Sequence, residues 1–298
     1  MNETLSNRES PAPSVIAVHD LACLGRCALT IVIPTLAAMG VQPLPLPTAI
    51  LSAHTGFSGV AARHLDGFMA DCLAHWQKQG LAADAVYSGY LANPAQVALV
   101  EEVIAWQRAS HAALVVADPA MADNGRMYSG LSPDMPAAMK RLCDQADVIT
   151  PNLTEAALML NRPYTDGPMT DEALWALLHG FSAGHVVITS AVMADGAHAN
   201  LCHARGEAGF WVCPYQRVGA AFHGTGDLFT SVLTGALLRG AEMKDAVAQA
   251  GDFVRRVIET SVACGVEERD GVQLEIALRH LLTSEASVCA PRFVPMPR

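Results

Sequence analysis

Short runs of apolar, often β-branched residues recur along this chain, and each run ends in small or polar residues. The runs are Val15–Val18, Ala85–Ser88, Leu114–Val116, Val148–Thr150 and Val186–Ile188. Most are followed by a helical pattern, and strands that alternate with helices form a mainly parallel sheet covered on both faces. The sequence therefore predicts an α/β fold with three layers and a mainly parallel central sheet.

Further elements can be placed around these strands. Helical patterns cover about Leu29 to Met39 and Pro94 to Gln107. Residues Ala197–Cys202 and Gly209–Cys213 have the alternation of an antiparallel hairpin, which we expect at the edge of the sheet.

Neither a linker nor an internal repeat interrupts residues 15–283, which we expect to form one domain. The polar stretch 1–14 is predicted to be a flexible N-terminal tail. The Pro-rich stretch 284–298 is predicted to be a C-terminal tail.

The composition narrows the class of protein. Apolar residues make up 51% of the chain and charged residues 16%, with a formal net charge of −10. This balance argues against nucleic acid or an anionic membrane as the main partner. No apolar run is long enough to span a membrane, and the polar start does not resemble a signal peptide. The eight cysteines form no C-x-x-C pair, so we expect reduced thiols in a cytoplasmic protein.

Open parallel sheets bind ligands beyond the carboxyl ends of their strands. The polar residues predicted at those ends are Asp20, Thr48, Ser88 to Tyr90, Asp118, Asn152, Glu155 and Thr189.

The strongest local motif is Gly224-Thr225-Gly226-Asp227, which precedes a helical stripe of apolar residues. Backbone N–H groups at a helix start bind phosphate, and glycine allows close approach of the ligand. Asp227 would then accept the proton of an attacking hydroxyl. An ordinary glycine loop with a helix-favourable acid is the alternative. The chain has no G-x-x-x-x-G-K-[ST] motif, and this loop lacks the third glycine of the dinucleotide fingerprint.

Other polar residues leave two interpretations open. Asp118 and Asp123 suit either a magnesium site or a simple turn. Glu155 suits either a ligand site or a helix cap. His19 and His54 are predicted to lie in loops near a pocket, and for each a structural role is the favoured interpretation. The histidines and cysteines show no zinc-binding spacing.

Taken together and in order, several segments resemble the pyridoxal (vitamin B6) kinase branch of the ribokinase-like superfamily. They are Ala17 to Thr30, Pro45 to Gly56, Ser88 to Leu91, Asp118 to Gly125, Ile149 to Glu155 and Gly224 to Asp227. The resemblance implies a ribokinase-like three-layer sandwich. It also implies transfer of the ATP γ-phosphoryl group to the 5'-hydroxymethyl group of pyridoxal, pyridoxamine or pyridoxine, with Mg2+, possible use of K+, and a homodimeric enzyme.

The resemblance also implies a role for each matching residue. Asp227 is the catalytic base, and the amides of Gly224, Thr225 and Gly226 form the anion hole. Residues matched to the substrate are Asp20, Thr48, His54, Tyr90 and Asp227. Residues matched to the nucleotide are Asp118, Thr150, Asn152, Glu155, Thr189 and Thr225; Asp118 and Glu155 are also matched to the metal, and Thr150 and Thr189 to a monovalent cation.

Two departures from the family pattern concern the ligand sites. Many pyridoxal kinases have serine where this chain has Asp20. A carboxylate there can pair with a protonated ring nitrogen or with an amine, and the second pairing favours pyridoxamine. Ala120 and Ala122 replace the usual valine and glycine around Asp123, which affects the shape of that loop.

Four alternative functions require residues or elements that differ from those of this chain. Hydroxymethylpyrimidine kinase shares the His-Gly-Thr-Gly string but is typically followed by cysteine, where this chain has Asp227. Sugar and nucleoside kinases usually have a fuller substrate lid than the predicted hairpin. A PLP-dependent enzyme needs a buried lysine, yet Lys78, Lys140 and Lys244 lie in polar helical stretches. A non-catalytic B6-binding protein would have no need of Asp227.

Overall fold

The computed structural model describes residues 11–281 and 289–296. The strands are β1 (Ser14–Ala22), β2 (Gln42–Leu51), β3 (Ala62–His64), β4 (Ala85–Ser88), β5 (Leu114–Ala117), β6 (Ala122–Asp123), β7 (Arg126–Met127), β8 (Val148–Ile149), β9 (His185–Val192), β10 (His198–Ala204), β11 (Gly209–Pro214) and β12 (Arg292–Pro295). The α-helices are α1 (Leu29–Ala38), α2 (Asp66–Gln79), α3 (Pro94–Ser110), α4 (Met135–Cys143), α5 (Leu153–Met159), α6 (Asp171–Leu178), α7 (Thr225–Leu238), α8 (Met243–Ala263) and α9 (Leu274–Ala277).

One large sheet has the spatial order β12-β11-β10-β9-β8-β5-β4-β1-β2-β3. Its centre, from β9 to β2, is entirely parallel, as the crossover pattern predicts. The two edges are antiparallel, with β10, β11 and β12 on one side and β3 on the other. The small hairpin β6–β7 lies apart from this sheet.

Helices cover both faces of the sheet. One apolar core packs helices α2 to α6 against it, and a second core packs α1, α7, α8 and α9 against the opposite face. Val15–Val18 of β1 are fully buried, which explains their continuous apolar sequence. The three-layer α/β prediction is confirmed.

Local sequence signals fix several helix ends. Helix α3 begins after Asn93, whose side chain accepts a hydrogen bond from the Gln96 N–H, with Pro94 at the first helical position. Helix α2 ends at Gly80, which has the left-handed conformation common at helix C-termini.

Some predicted boundaries differ from the structure. Strand β9 continues to Val192, past its predicted end, because it pairs with β10 beyond the point where pairing with β8 stops. His19 lies in β1 and not in a loop. The predicted hairpin is confirmed as β10–β11.

Most of the predicted N-terminal tail and part of the C-terminal one lie outside the described residues, because 1–10, 282–288 and 297–298 are not described. Within the Pro-rich stretch, however, β12 pairs antiparallel with β11, which corrects the prediction of a loose tail at that point. Its prolines suggested an irregular segment, but Arg292, Phe293 and Val294 between them pair with β11. Within the described ranges, no helix is long and apolar enough to cross a membrane.

The pairing of β1 with β2 is irregular near the carboxyl ends of both strands. His19 pairs with Pro47, whereas Leu21 pairs with Ile50, so β2 has one more residue than β1 in this interval. Such a bulge bends the strand and redirects the neighbouring side chains. It lies beside His19 and Asp20, near the carboxyl ends of the parallel strands, where ligands are expected to bind.

Candidate active site

A cleft of about 590 Å³ lies beyond the carboxyl ends of the parallel strands. It is lined by nearly all of the predicted site residues: Asp20, His54, Tyr90, Asp118, Thr150, Asn152, Glu155, Thr189, Gly224, Thr225, Gly226 and Asp227. Thr48 is not part of its lining. The structure therefore brings together residues from strand ends that are far apart in the sequence.

Helix α7 begins at the floor of this cleft with a glycine N-cap. Gly224 has φ 82°, and a Cβ atom there would lie 2.5 Å from the carbonyl oxygen of Arg26. Both the left-handed backbone and the close packing require glycine. No side chain caps this helix start. The N–H groups of its first turn are therefore suited to bind an anion.

Asp227 is held in the first turn of α7 by the loop that follows β1. Its Oδ2 accepts hydrogen bonds from the Ala28 N–H at 2.8 Å and from the Cys27 thiol at 3.4 Å. Burial raises the pKa of Asp227, and these two hydrogen bonds oppose that shift. Ala28 has φ 52°, an unfavourable conformation for a residue with a Cβ atom. This strain directs its N–H at the carboxylate.

Asp118 lies beside the start of α7 and belongs to a chain of hydroxyl groups. Thr150 donates to Thr230 at 2.9 Å, and Thr230 donates to Asp118 Oδ2 at 3.1 Å. Burial and the nearby charge of Asp227 raise the pKa of Asp118 to about 8. Two adjacent carboxylates of this kind are stabilised by a cation between or beside them.

Asn152 and Glu155 form a capping box at the start of α5. Asn152 Oδ1 accepts from the Glu155 N–H, and Glu155 Oε2 accepts from the Asn152 N–H, each at 2.9 Å. Glu155 Oε1 also accepts from the N–H of Met121 at 3.1 Å and of Ala122 at 3.4 Å. Of the two interpretations left open for Glu155, the helix cap is confirmed, and the side chain also lines the cleft. Burial still raises the pKa of Glu155, and the charge of Asp118 adds to the shift.

Asp123 lies at the exposed tip of the β6–β7 hairpin, on the rim of the cleft. Its Oδ1 accepts from the Asn124 N–H at 2.8 Å, and both Asn124 and Gly125 have positive φ. These features define a tight hairpin turn. The turn interpretation of this segment is confirmed, and Arg126, the next residue, also lines the cleft.

The residues matched to a substrate ring either line the same cleft or support its wall. Asp20 is 5% exposed, and burial together with the charge of Asp227 raises its pKa to about 7. His54 Nε2 donates to the Arg269 carbonyl at 2.7 Å, which fixes its ring. Thr48 lies behind Tyr90 and donates to the Tyr90 carbonyl at 3.1 Å. It supports the wall of the cleft without lining it.

Several residues of the site were not identified from the sequence. Cys27 and Ala28 hold Asp227, and Thr230 holds Asp118. His19 was expected in a loop near a pocket and instead faces Asp227 from β1. Arg126 is the only arginine or lysine among the described residues that line the cleft. Ala28 acts through its backbone N–H, so its side chain gives no sign of this role in the sequence. Thr230 lies one helical turn after Gly226, on the same face of α7, so the sequence could have indicated that it reaches the cleft.

The cleft is strongly acidic. Asp20, Asp118, Asp123, Glu155 and Asp227 line it against the single cation Arg126 among the described lining residues. In the described part of the chain, no group of three or more side chains of His, Cys, Asp or Glu is arranged to hold a metal. Oxygen donors, few carboxylates and room for water instead match the way Mg2+ binds together with phosphates.

An uncapped glycine helix start, a carboxylate beside it and an acidic cleft at the ends of parallel strands together suit phosphoryl transfer. This fold and site define a small-molecule kinase of the ribokinase-like superfamily.

Comparisons with known proteins agree with this class. The family model described as phosphomethylpyrimidine kinase matches residues 33–271, so the chain belongs to that family. A pyridoxine/pyridoxal/pyridoxamine kinase from Bordetella avium is 30% identical over 80% of this chain and 82% of its own length. The resemblance to B6 kinases is thereby confirmed.

Solved structures are similar over almost the whole chain. A putative phosphomethylpyrimidine kinase from Bacteroides thetaiotaomicron, crystallised with pyridoxal, is 36% identical with a TM-score of 0.88, covering 95% of this chain and 100% of that one. Pyridoxal kinase from Lactobacillus plantarum is 30% identical with a TM-score of 0.82, covering 91% and 96%.

Proposed function

We propose that this protein is a pyridoxal kinase that transfers the γ-phosphoryl group of ATP to the 5'-hydroxymethyl group of a B6 vitamer. The observation that carries the proposal is the position of Asp227, which lines the cleft within the first turn of the uncapped helix α7. There the base and the anion site are adjacent. The relatives named as pyridoxal kinases support the same activity.

In this mechanism the substrate hydroxyl oxygen attacks the γ-phosphorus, the bond from that phosphorus to the β-phosphate oxygen breaks, and ADP leaves. Asp227 accepts the hydroxyl proton, and the N–H groups at the start of α7 stabilise charge on the transferred group. The hydrogen bonds from Ala28 and Cys27 fix the orientation of Asp227. The chain therefore supplies mainly positioning and charge stabilisation.

The nucleotide is assigned to the side of the cleft near Thr150, Asn152, Thr189 and Thr225. A second cavity of about 200 Å³ adjoins the cleft there and shares Thr189, Thr225 and Gly226 with it. Its walls include Phe229, Val254 and Ile258, which suit a flat base.

Mg2+ would neutralise the phosphates when bound. Asp118 is the first carboxylate that would hold it, because Thr230 is the one described residue that donates to Asp118 Oδ2 and burial disfavours the ionised carboxylate unless a cation is bound. Glu155 already accepts three backbone hydrogen bonds and would act mainly through water. Arg126 is positioned to add a positive charge at the rim.

The substrate ring is assigned to the end of the cleft lined by Asp20, His54 and Tyr90. A buried carboxylate with a raised pKa gains from a cationic partner, so Asp20 should favour pyridoxamine over pyridoxal. Equal turnover of the two vitamers by wild type and by Asp20→Ser would refute this preference.

The central experiment measures ADP release with pyridoxal, pyridoxamine, pyridoxine and hydroxymethylpyrimidine, using Asp227→Asn as the control. We expect turnover of the B6 vitamers and a large loss in the variant. No turnover of any vitamer would refute the proposal. Turnover of hydroxymethylpyrimidine alone would establish the alternative that the family description suggests, and ligand binding without turnover would establish a non-catalytic B6-binding protein.

We also propose a cytoplasmic homodimer whose activity is stimulated by K+ near Thr150 and Thr189. Light scattering at assay concentrations tests the dimer. Rates in KCl and NaCl at equal ionic strength test the monovalent cation.

A further inference from the structure

His19 is a buried polar residue that the proposed mechanism does not use. It is fully buried in β1, and neither of its ring nitrogens has a hydrogen-bond partner among the described residues. An unsatisfied buried polar group destabilises the folded protein, so its presence calls for a reason.

The ring faces the carboxylate that we assign as the base. His19 Nδ1 lies 3.8 Å from Asp227 Oδ1, which is slightly longer than a hydrogen bond. Asp227 Oδ2 is already held by Ala28 and Cys27, whereas Oδ1 accepts no hydrogen bond from the described residues. Thus the unsatisfied donor and the unsatisfied acceptor face each other.

The imidazole sits in a close-fitting niche. A Cβ atom on Gly89 would lie 2.2 Å from His19 Nδ1, so only glycine leaves room for the ring at this place. Tyr87 contacts the ring edge-on, with the centroids 4.4 Å apart. The niche holds Nδ1 toward Asp227, and a small movement of the Asp227 side chain is sufficient to close the gap.

The ring is uncharged at neutral pH, because burial lowers the pKa of His19 to about 3. A neutral imidazole carries its proton on one nitrogen only. Two ionisable side chains contact the ring, Asp227 through Oδ1 and Tyr87 edge-on, and Cys27 contacts Asp227 in turn. Among the described residues, Asp227 Oδ1 is the one carboxylate oxygen within 4 Å of a ring nitrogen, and it lies on the side of Nδ1, which favours a proton on that nitrogen.

We propose that His19 is a positioning residue for Asp227, donating its Nδ1–H to Oδ1 when substrate and nucleotide occupy the cleft. The proposal rests on the proposed function of Asp227 as the base. The hydrogen bond holds the carboxylate in its ionised form and directs its remaining lone pairs at the substrate hydroxyl. His19 itself keeps its proton; the hydroxyl proton goes to Asp227.

The first test compares His19→Leu with His19→Asn in the ADP-release assay. Leucine fills the niche without a donor, whereas the asparagine amide nitrogen lies near the position of Nδ1. A hydrogen bond to a charged group corresponds to about a 10- to 100-fold change. We expect His19→Leu to lower kcat by that factor with KM changed less than about 2-fold, and His19→Asn to retain kcat within about 5-fold.

Two results would overturn the proposal. One is a wild-type kcat in His19→Leu; the other is an equal loss in both variants, which indicates that the site needs the ring only for packing. The thermal unfolding midpoint of each variant shows whether it is folded.

A second measurement uses the wild-type protein, so it tests the proposal even if His19→Leu does not fold. Histidine 15N NMR is recorded with and without pyridoxal, Mg2+ and a non-hydrolysable ATP analogue, and the His19 signal is the one missing from His19→Asn. We expect the Nδ1-protonated tautomer and a downfield shift of its proton in the complex. A proton on Nε2 would overturn the proposal.

These outcomes are distinguishable from failure of the proposed function. If no B6 vitamer is phosphorylated by wild type, the proposed function fails. If Asp227→Asn keeps the wild-type rate, the assignment of the base fails. If His19→Leu is fully active while Asp227→Asn is inactive, the role of His19 alone is refuted.

Discussion

Two helices begin at the same cleft, and each has an acid at the third helical position, yet the two acids are in different situations. At the start of α5, Glu155 is bound in a reciprocal cap with Asn152. At the start of α7, the N-cap is Gly224, which has no side chain to complete such a cap. Asp227 is instead held from outside the helix by Ala28 and Cys27.

The N-cap residue decides what the acid at the third position can do. An asparagine N-cap uses one backbone N–H of its own helix and offers its own N–H to the acid. A glycine N-cap leaves the N–H groups for a ligand and leaves one carboxylate oxygen of Asp227 unbonded by the described residues. The α5 start is thus mainly structural, whereas the α7 start is suited to chemistry.

The largest expected effect is on turnover, and it separates the two acids. Asp227→Asn should lower kcat at least about 100-fold with little change in KM, because a general base contributes roughly 10²–10⁴. Glu155→Gln should lose part of its activity, regain some of it at higher Mg2+ concentration, and unfold at lower temperature. Mg2+ titrations of kcat for both variants provide the measurement. Recovery of Asp227→Asn by Mg2+ would contradict the assigned roles.

The second prediction concerns the glycine N-cap. Gly224→Ala should cost about 3 kcal/mol in the free energy of unfolding, because the added Cβ meets Ile31 Cδ1 and the Arg26 carbonyl in an unfavourable φ region. Gly40→Ala is the matched control: Gly40 also has a positive φ, 76°, but nothing lies within 4 Å of its Cβ position. It should cost about 1 kcal/mol. Denaturant unfolding measures both, and equal costs would show that close packing at Gly224 is unimportant.

The third prediction extends the comparison to Asp20, a buried acid outside both helices. Its folded pKa of about 7 lies above the ordinary value of 3.8, so folding favours its protonated form. The stability it contributes is present below about pH 4 and is lost as pH rises to 7. Asp20→Asn should therefore gain stability over wild type between pH 5 and pH 8, on the order of 2 kcal/mol. A pH-independent difference in denaturant midpoint would contradict it.

The smallest expected effect tests the cap itself. Thr170→Ala removes a side-chain cap of α6 away from the cleft, where Thr170 Oγ1 accepts from the Ala173 N–H. Loss of such a cap costs about 1 kcal/mol, and this variant should keep wild-type turnover. Asn152→Ala should lose somewhat more stability, since Asn152 Nδ2 also donates to the Ala122 carbonyl at 2.8 Å. It should also bind nucleotide more weakly in a calorimetric titration. If Asn152→Ala bound nucleotide as tightly as wild type, Asn152 would serve only to cap α5.

The parallel sheet was predictable from the sequence because its strands are buried on both faces and are therefore continuously apolar. The start of α7 was predictable because a regular apolar helical stripe follows Gly224-Thr225-Gly226-Asp227, whereas the choice between an anion site and an ordinary glycine loop stayed open. The extent of β9 was not, since it depends on pairing with β10, which lies elsewhere in the sequence.

The site was predictable as a set of residues, but their hydrogen bonds were not. Thr48 was assigned to the substrate, yet in the structure it lies behind Tyr90 next to the bulge between β1 and β2. His19 was assigned to a loop because the strand was expected to end before it. Ala28 acts through its backbone N–H, which every residue except proline has, so its role could not be predicted from the residue type.

Strand β12 also bears on how the molecule behaves at high concentration. An uncovered edge of a sheet offers N–H and C=O groups to which another chain can add. β12 covers the edge of β11, and Pro295 within it has no N–H to offer a further strand. β12 is thus the outermost strand on this side, and its proline removes one N–H that a further chain could use. Removal of residues 289–296 would expose the longer strand β11 and should make the protein more prone to aggregate.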